Sequence, residues 1–334
     1  MTATQTSELP PNYRFSVAPM LDWTDRHFRY FMRGLTKHAL LYTEMITTGA
    51  LLYGDAARYL AYNQVEHPLA LQLGGSVASE LAICAKMAEQ WGYDEVNLNV
   101  GCPSDRVQNN LIGACLMAHP KLVADCFKAM QDAVDIPVTI KHRIGIDGRE
   151  SYSELLDFVG QSVEAGCQRF IVHARIAILK GLSPKQNRDI PPLRYEIAAQ
   201  LKKDFPDTIF ILNGGINTMQ EVNKHLQSLD GVMVGRAAYH NCYEWAQVDQ
   251  QLFASNEPII SRADAFLRML PYIEQHVAQG GVVQHISRHL LGLAQGFAGS
   301  RRIRQLLSVD IHKEQPAKVF EQVIGYLQSS ALNG

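Results

Sequence analysis

Short apolar runs alternate with amphipathic stretches from Phe15 to about Arg236. This alternation is typical of repeated strand–helix units, in which buried strands are covered by the helices that follow them. Thr218 and Glu221 have the spacing of a capping box and predict a helix start after the seventh strand. We predict eight strands, at residues 15–20, 40–45, 69–73, 95–100, 137–141, 169–173, 208–213 and 231–235.

Eight such units in roughly 225 residues indicate a protein of the α/β class with a (β/α)8 barrel. A doubly wound sheet is the alternative, but the glycine-rich fingerprint that it would need after the first strand is absent from the sequence. We therefore expect an N-terminal tail at 1–14, a barrel at 15–255 and a small helical-bundle domain at 256–334.

The helical prediction for the C-terminal part depends on apolar spacing. One apolar face repeats at helical intervals and consists of Phe266, Met269, Leu270, Ile273 and Val277. Further helical stretches are predicted at 283–297, 301–307 and 316–327.

Composition is that of an ordinary folded protein, with 47% hydrophobic and 19% charged residues. The first eleven residues lack an apolar signal segment, and no apolar run approaches the roughly 20 residues of a membrane span. We expect a cytoplasmic protein. The six cysteines form no C-x-x-C pair, so neither a zinc site nor a disulfide framework is indicated.

The net charge of −2 argues mildly against nucleic-acid binding. The charge is unevenly distributed, because residues 259–334 hold eight basic and five acidic side chains, an excess of +3, while the rest of the chain carries −5. The C-terminal part is therefore the expected basic surface.

Cys102 follows the fourth predicted strand, in a turn between Gly101 and Pro103. Glycine permits backbone geometry closed to other residues and proline fixes φ, so the thiol is placed at the strand mouth rather than in the core. A free thiol, with a reference pKa of about 8.5, is mostly protonated at neutral pH and can donate a proton. Cys84, Cys115, Cys126 and Cys167 are instead expected to be small buried apolar groups.

Residues at the carboxyl ends of barrel strands meet on one face and are commonly functional. Glycines and an arginine after strands seven and eight, as in Gly214-Gly215 and Gly235-Arg236, suit a phosphate site. His173 alone fits a packed core histidine equally well. The residues predicted to gather at this face are Pro19, Met20, Glu44, Gln72, Asn99, Cys102, Lys141, His173, Asn213, Gly214, Gly215, Gly235 and Arg236.

These motifs together resemble the tRNA-dihydrouridine synthases, over about Phe15 to about Leu307. The segment 179–188 narrows the resemblance to the DusA branch, which acts at tRNA positions 20 and 20a. The motifs that carry it are Ala18-Pro19-Met20, Asn97-Leu98-Asn99-x-Gly101-Cys102-Pro103, Gly113-Ala114-x-Leu116-Met117, Lys141, His173-Ala174-Arg175, Asn213-Gly214-Gly215 and Gly235-Arg236.

The resemblance implies a flavin enzyme that reduces uridine in the D-loop of tRNA, with NADPH as reductant and Cys102 as proton donor. It implies a monomer without a protein partner or a metal. It assigns tRNA or substrate contacts to Asn99, Lys185, Arg188, Arg301 and Arg304. It assigns FMN contacts to Ala18, Pro19, Met20, Gln72, Lys141, His173, Asn213, Gly214, Gly215, Gly235 and Arg236.

Two short segments depart from the branch pattern. Residues 110–112 are Asn-Leu-Ile where Gly-Arg-Phe is common, and residues 176–178 are Ile-Ala-Ile where Lys-Ala-Trp is common. Weaker substrate affinity, or a less ordered Cys102 loop, is therefore expected. The other functions considered are a free-pyrimidine reductase of the dihydroorotate dehydrogenase type and a non-enzymatic tRNA-binding chaperone.

Overall fold

The computed structural model describes residues 11–104 and 111–331, and within them eight parallel strands close into a barrel. The strands pair in chain order, and β8 closes the barrel against β1. The predicted (β/α)8 architecture and all eight predicted strands are confirmed. The strands are β1 (Phe15–Val17), β2 (Leu40–Thr47), β3 (Leu69–Gly74), β4 (Glu95–Val100), β5 (Val138–Arg143), β6 (Arg169–His173), β7 (Ile209–Asn213) and β8 (Gly231–Val234).

Helices cover the barrel and continue beyond its last strand. The α-helices are Arg26–Leu35, Thr48–Tyr53, Ala56–Leu60, Ala78–Trp91, Pro120–Gln131, Tyr152–Glu164, Tyr195–Asp204, Met219–His225, Arg236–His240, Val248–Leu252, Arg262–Leu267, Leu270–Ala278, Gln284–Ser287, Ser300–Ser308 and Pro316–Ala331. Short 3-10 helices are Pro11–Arg14, Gln64–Glu66, Gly113–Ala118, Gln186–Arg188, Cys242–Gln247, Leu290–Ala294 and Asp310–His312. The capping box predicted at Thr218 is present.

Two strand ends differ from the prediction in ways that matter for the site. β1 ends at Val17 instead of continuing to Met20, because Pro19 has no N–H to extend the ladder. β5 continues past Lys141 to Arg143. Lys141 therefore lies within the strand, and Arg143 lies at its carboxyl end.

The core has two parts, one inside the barrel and one around it. Side chains on one face of each strand fill the barrel interior, among them Tyr42, Ile171 and Met233. Those on the other face join a continuous apolar cluster that runs through the covering helices into the C-terminal helices. A parallel strand buried on both faces explains why the sequence shows short continuous apolar runs.

Two predictions for the C-terminal helices are wrong. The predicted apolar face spans two helices, Arg262–Leu267 and Leu270–Ala278. Phe266 and Ile273 are buried as expected, but Val277, in the last turn of the second helix, is 44% exposed. The stretch 283–297 is not one helix but the helix Gln284–Ser287 followed by the 3-10 helix Leu290–Ala294. The predictions at 301–307 and 316–327 are confirmed.

The C-terminal helices pack against the helix Arg26–Leu35, which follows β1. The Asp25 carboxylate accepts hydrogen bonds from Arg288 at 2.7 Å and from His289 at 3.0 Å. The Tyr272 ring stacks on Tyr30 with 3.9 Å between centroids. No helix in the described ranges is long and apolar enough to cross a membrane.

Candidate active site

A line of hydrogen-bonded amides runs up the barrel interior to the carboxyl ends of the strands. Asn97 donates to the Thr139 hydroxyl at 2.8 Å, and Gln72 donates to the Asn97 oxygen at 2.8 Å. The Asn99 amide in turn donates to the Gln72 oxygen at 2.7 Å. All four side chains are buried, so this line fixes the orientation of the Asn99 amide.

The Asn99 oxygen holds the Cys102 turn. It accepts the backbone N–H of Gly101 at 3.1 Å and that of Cys102 at 2.9 Å. From the other side, the Cys102 carbonyl accepts the N–H of Ala114 at 2.8 Å. Gly113 has a φ of +85°, and a Cβ there would lie 2.4 Å from the Cys102 carbonyl oxygen. The turn is therefore anchored on both sides, and Cys102 remains partly exposed.

The other cysteines lie in apolar surroundings. Burial raises the pKa of Cys84 and Cys126 to about 11 and that of Cys167 and Cys242 to about 12. The predicted burial of Cys84, Cys126 and Cys167 is confirmed, whereas Cys115 is only partly buried. Thiols with raised pKa values carry little thiolate at neutral pH.

Lys141 places a cation at the mouth of the barrel, in register with Asn99 on β4. Burial lowers the pKa of Lys141 to about 7, the Arg143 charge lowers it further, and Cys102 opposes the shift. Within the described part of the chain its ammonium has no hydrogen bond or ion pair. An ammonium that is unpaired in this part of the chain, on a partly buried side chain, suits a ligand that brings negative charge or acceptor oxygens.

His173 ends β6 and lies directly beneath the glycine pair that follows β7. A Cβ on Gly214 would lie 2.8 Å from the His173 ring, and φ is +119° at Gly214 and +70° at Gly215. Burial, reinforced by the charges of Arg143 and Lys141, holds the pKa of His173 well below its usual value. The lowered pKa favours the neutral imidazole of His173, and substituting Gly214 would displace the ring.

The segment after β8 lies against the segment after β1. An added Cβ on Gly235 would lie 3.8 Å from Ala18 and 3.9 Å from Met20. Arg236 is half-buried and forms an ion pair with Asp189 at 2.7 Å. A phosphate bound here would share Arg236 with that carboxylate.

Arg143 is a site residue that sequence reasoning missed. It is 2% exposed and donates to the carbonyls of Gly101 at 3.2 Å, Ile176 at 3.1 Å and Asn187 at 3.0 Å. Burial lowers its pKa to about 10, so it remains charged at neutral pH. Its position two residues after Lys141 on the same strand face was the available signal.

The four basic residues predicted to contact tRNA fall into two separate places, while Asn99 lies at the Cys102 turn. Lys185 is exposed and Arg188 half-buried, both on the loop 178–190 that Arg143 joins to the Cys102 turn. Arg301 is exposed on the helix Ser300–Ser308, and Arg304 is half-buried there and bonded to Gln295.

The structure describes most of the two segments that depart from the branch pattern. Asn110 lies outside the described residues. Ile112 is 7% exposed, and an added Cβ on Gly74 would lie 3.0 Å from it, so its side chain packs at the end of β3. Ile176 and Ile178 are half-buried, and the carbonyl of Ile176 binds Arg143.

Comparison with known proteins assigns the chain to a family. The family model described as dihydrouridine synthase (Dus) matches residues 16–328. The chain is 69% identical over 315 residues to the tRNA-dihydrouridine(20/20a) synthase of Pseudomonas aeruginosa, covering 94% of this chain and 95% of that protein. It is 55% identical over 323 residues to the protein of the same name from Salmonella typhi, covering 96% and 97%.

A solved structure of 2-naphthoyl-CoA reductase with 2-naphthoyl-CoA matches with a TM-score of 0.54 at 13% identity. The match covers 71% of this chain and 50% of that one, and it supports the fold alone. The matched family range and the relatives of nearly equal length give the assignment. The chain belongs to the dihydrouridine synthase family.

Proposed function

We propose that this chain reduces uridine to 5,6-dihydrouridine at positions 20 and 20a of the tRNA D-loop, with FMN as cofactor and NADPH as reductant. Membership of a flavin-dependent family and the names of its relatives support this proposal. The observation that carries it is the Cys102 turn, which Asn99 and Ala114 anchor at the mouth of the barrel beside Lys141.

The Lys141 ammonium, which has no partner among the described residues, and the accessible backbone at Gly215 and Gly235 fit a flavin with its phosphate. When bound, the flavin supplies a hydride to C6 of the uracil ring. Lys141 would hold the pyrimidine side of the flavin, and Arg236 would hold its phosphate. The residues proposed to contact FMN are Ala18, Pro19, Met20, Gln72, Lys141, His173, Asn213, Gly214, Gly215, Gly235 and Arg236.

The chain must then supply a proton. Hydride addition at C6 breaks the C5=C6 double bond and leaves negative charge shared between C5 and the C4 carbonyl. Cys102 donates its thiol proton to C5, and the thiolate regains a proton from solvent. Asn99 has a second amide hydrogen, beyond the one bound to Gln72, that is available for the uracil.

The substrate base must leave its stack in tRNA, which costs a few kcal/mol and must be offset by protein contacts. We assign those contacts to Lys185 and Arg188 at the barrel face and to Arg301 and Arg304 on the C-terminal helices. In this proposal, residues 15–255 perform the reaction and supply the Lys185 and Arg188 contacts, and residues 256–334 supply the remaining tRNA contacts. A tRNA substrate favours a cytoplasmic location, and the protein acts as a monomer in this proposal.

A defined reconstitution tests the proposal. The purified protein is incubated with FMN, NADPH and unmodified tRNA transcript, and dihydrouridine is located by nuclease digestion and mass spectrometry. We expect dihydrouridine at positions 20 and 20a, and none when these uridines are replaced. Reduction of free pyrimidines but not of tRNA would support the dihydroorotate dehydrogenase type instead. A protein that binds tRNA but not flavin would indicate a chaperone.

A further inference from the structure

The loop 178–190 is organised around one buried side chain. Asn187 is fully buried, its oxygen accepts the N–H of Ile178 at 2.8 Å, and its amide donates to the carbonyls of Ile178 at 2.8 Å and Leu182 at 3.2 Å. These bonds close the loop on itself. Lys185 and Arg188 are therefore carried on a preformed unit rather than on a free segment.

Arg143 connects this loop to the Cys102 turn. Its guanidinium binds the Asn187 carbonyl at 3.0 Å on one side and the Gly101 carbonyl at 3.2 Å on the other. Arginine suits this position because its planar group carries five N–H donors in a fixed fork. A lysine would keep the charge but could not span carbonyls on separate segments with the same geometry.

We propose that Arg143 and Asn187 are positioning residues that place the Cys102 thiol when tRNA engages the loop 178–190. The inference rests on the proposed function and adds to it how the proton donor, Cys102, is held in place. The path runs from the tRNA-facing loop through Arg143 to Gly101, which is bonded to Cys102. Proton donation requires the acid within hydrogen-bonding distance of C5, and a displacement of about 1 Å can slow such a step by about 10²-fold.

The first test separates positioning from simple tRNA binding. In Asn187→Ala, the oxidation of pre-reduced flavin by saturating tRNA is followed in a single turnover, with rates expressed per bound flavin. We expect the saturating rate to fall by roughly 10-fold or more. Asn223→Ala removes an exposed amide that is bonded to Gln251 and is the matched control. A higher tRNA requirement with a wild-type saturating rate would overturn the proposal, because the loop would then only bind.

The second test asks whether the two residues act through one path. Arg143→Lys should lower the saturating rate, whereas Arg149→Lys, at an exposed arginine bonded to Ala118, should not. If both residues belong to one path, Arg143→Lys/Asn187→Ala should be no slower than the slower single variant. Rate reductions that multiply would overturn the shared path.

Failure of the positioning role and failure of the proposed function give different results. If Arg143→Lys fails to fold, the saturating rate of Asn187→Ala decides the question. Wild-type protein that forms no dihydrouridine would refute the proposed function. Active wild-type protein with variants at the wild-type saturating rate would refute only the positioning role.

Discussion

The charge of Lys141 should make flavin binding depend on pH in the neutral range. Burial and Arg143 lower the pKa of Lys141 to about 7 in the protein without a ligand. If FMN binds the protonated ammonium, the flavin raises that pKa, and binding takes up a proton at any pH between the two values. FMN affinity should therefore fall as the pH rises above 7.

The size of the effect follows from that pKa. About half of the free protein carries the Lys141 proton at pH 7, and about 1% carries it at pH 9. The apparent dissociation constant scales inversely with the competent fraction, so it should rise by up to about 50-fold between these pH values. The full factor applies if FMN binds only the protonated form.

Titration of apoprotein with FMN, followed by quenching of flavin fluorescence from pH 7 to 9, measures this dependence. Lys141→Met should bind FMN more weakly and with little change over the same range. Lys128→Met, at an exposed lysine paired with Asp132, is the matched control and should behave like the wild type.

A wild-type dissociation constant that stays flat from pH 7 to 9 would refute the reasoning. It would mean that Lys141 does not bind FMN as a cation, or that its pKa is not lowered by its surroundings. If the dissociation constant of Lys141→Met changed with pH as much as that of the wild type, another group would be the cause of the effect.

Two other predictions concern the Cys102 turn and the C-terminal helices. Gly113→Ala should slow dihydrouridine formation well beyond any effect of Gly148→Ala. Both positions have positive φ, but only at Gly113 would the new Cβ meet the Cys102 carbonyl. Equal rates of the two variants in a tRNA reduction assay would contradict this prediction. Arg301→Ala/Arg304→Ala should weaken tRNA binding and reduce the salt slope by roughly 0.7 to 0.9 for each phosphate that the variant no longer binds. An unchanged affinity across a salt series would exclude both arginines from the tRNA interface.

The barrel could be predicted because its strands are buried on both faces and leave continuous apolar runs such as 209–212. The Cys102 turn could be predicted because glycine and proline restrict local geometry. Neither signal depends on distant residues. The bond that Asn99 makes to Gln72 could not be foreseen, because it depends on strand register across the barrel.

The role of Arg143 was not predicted, because a charged residue at the end of a strand is usually exposed to solvent. Its three carbonyl partners lie between 33 and 44 residues away along the chain, so no local pattern reveals them. Helical spacing failed at 283–297 for a similar reason. A Cβ on Gly292 would lie 2.4 Å from the Tyr239 carbonyl, a close approach that only the tertiary structure shows.

The central claim is that Cys102 supplies the proton for uridine reduction at this barrel mouth. The most direct measurement compares wild-type protein with Cys102→Ala in two half-reactions, the reduction of bound flavin by NADPH and the oxidation of reduced flavin by unmodified tRNA. We predict that dihydrouridine formation in the variant slows by about 10²-fold or more while flavin is still reduced by NADPH. A wild-type rate of uridine reduction by Cys102→Ala would contradict the account.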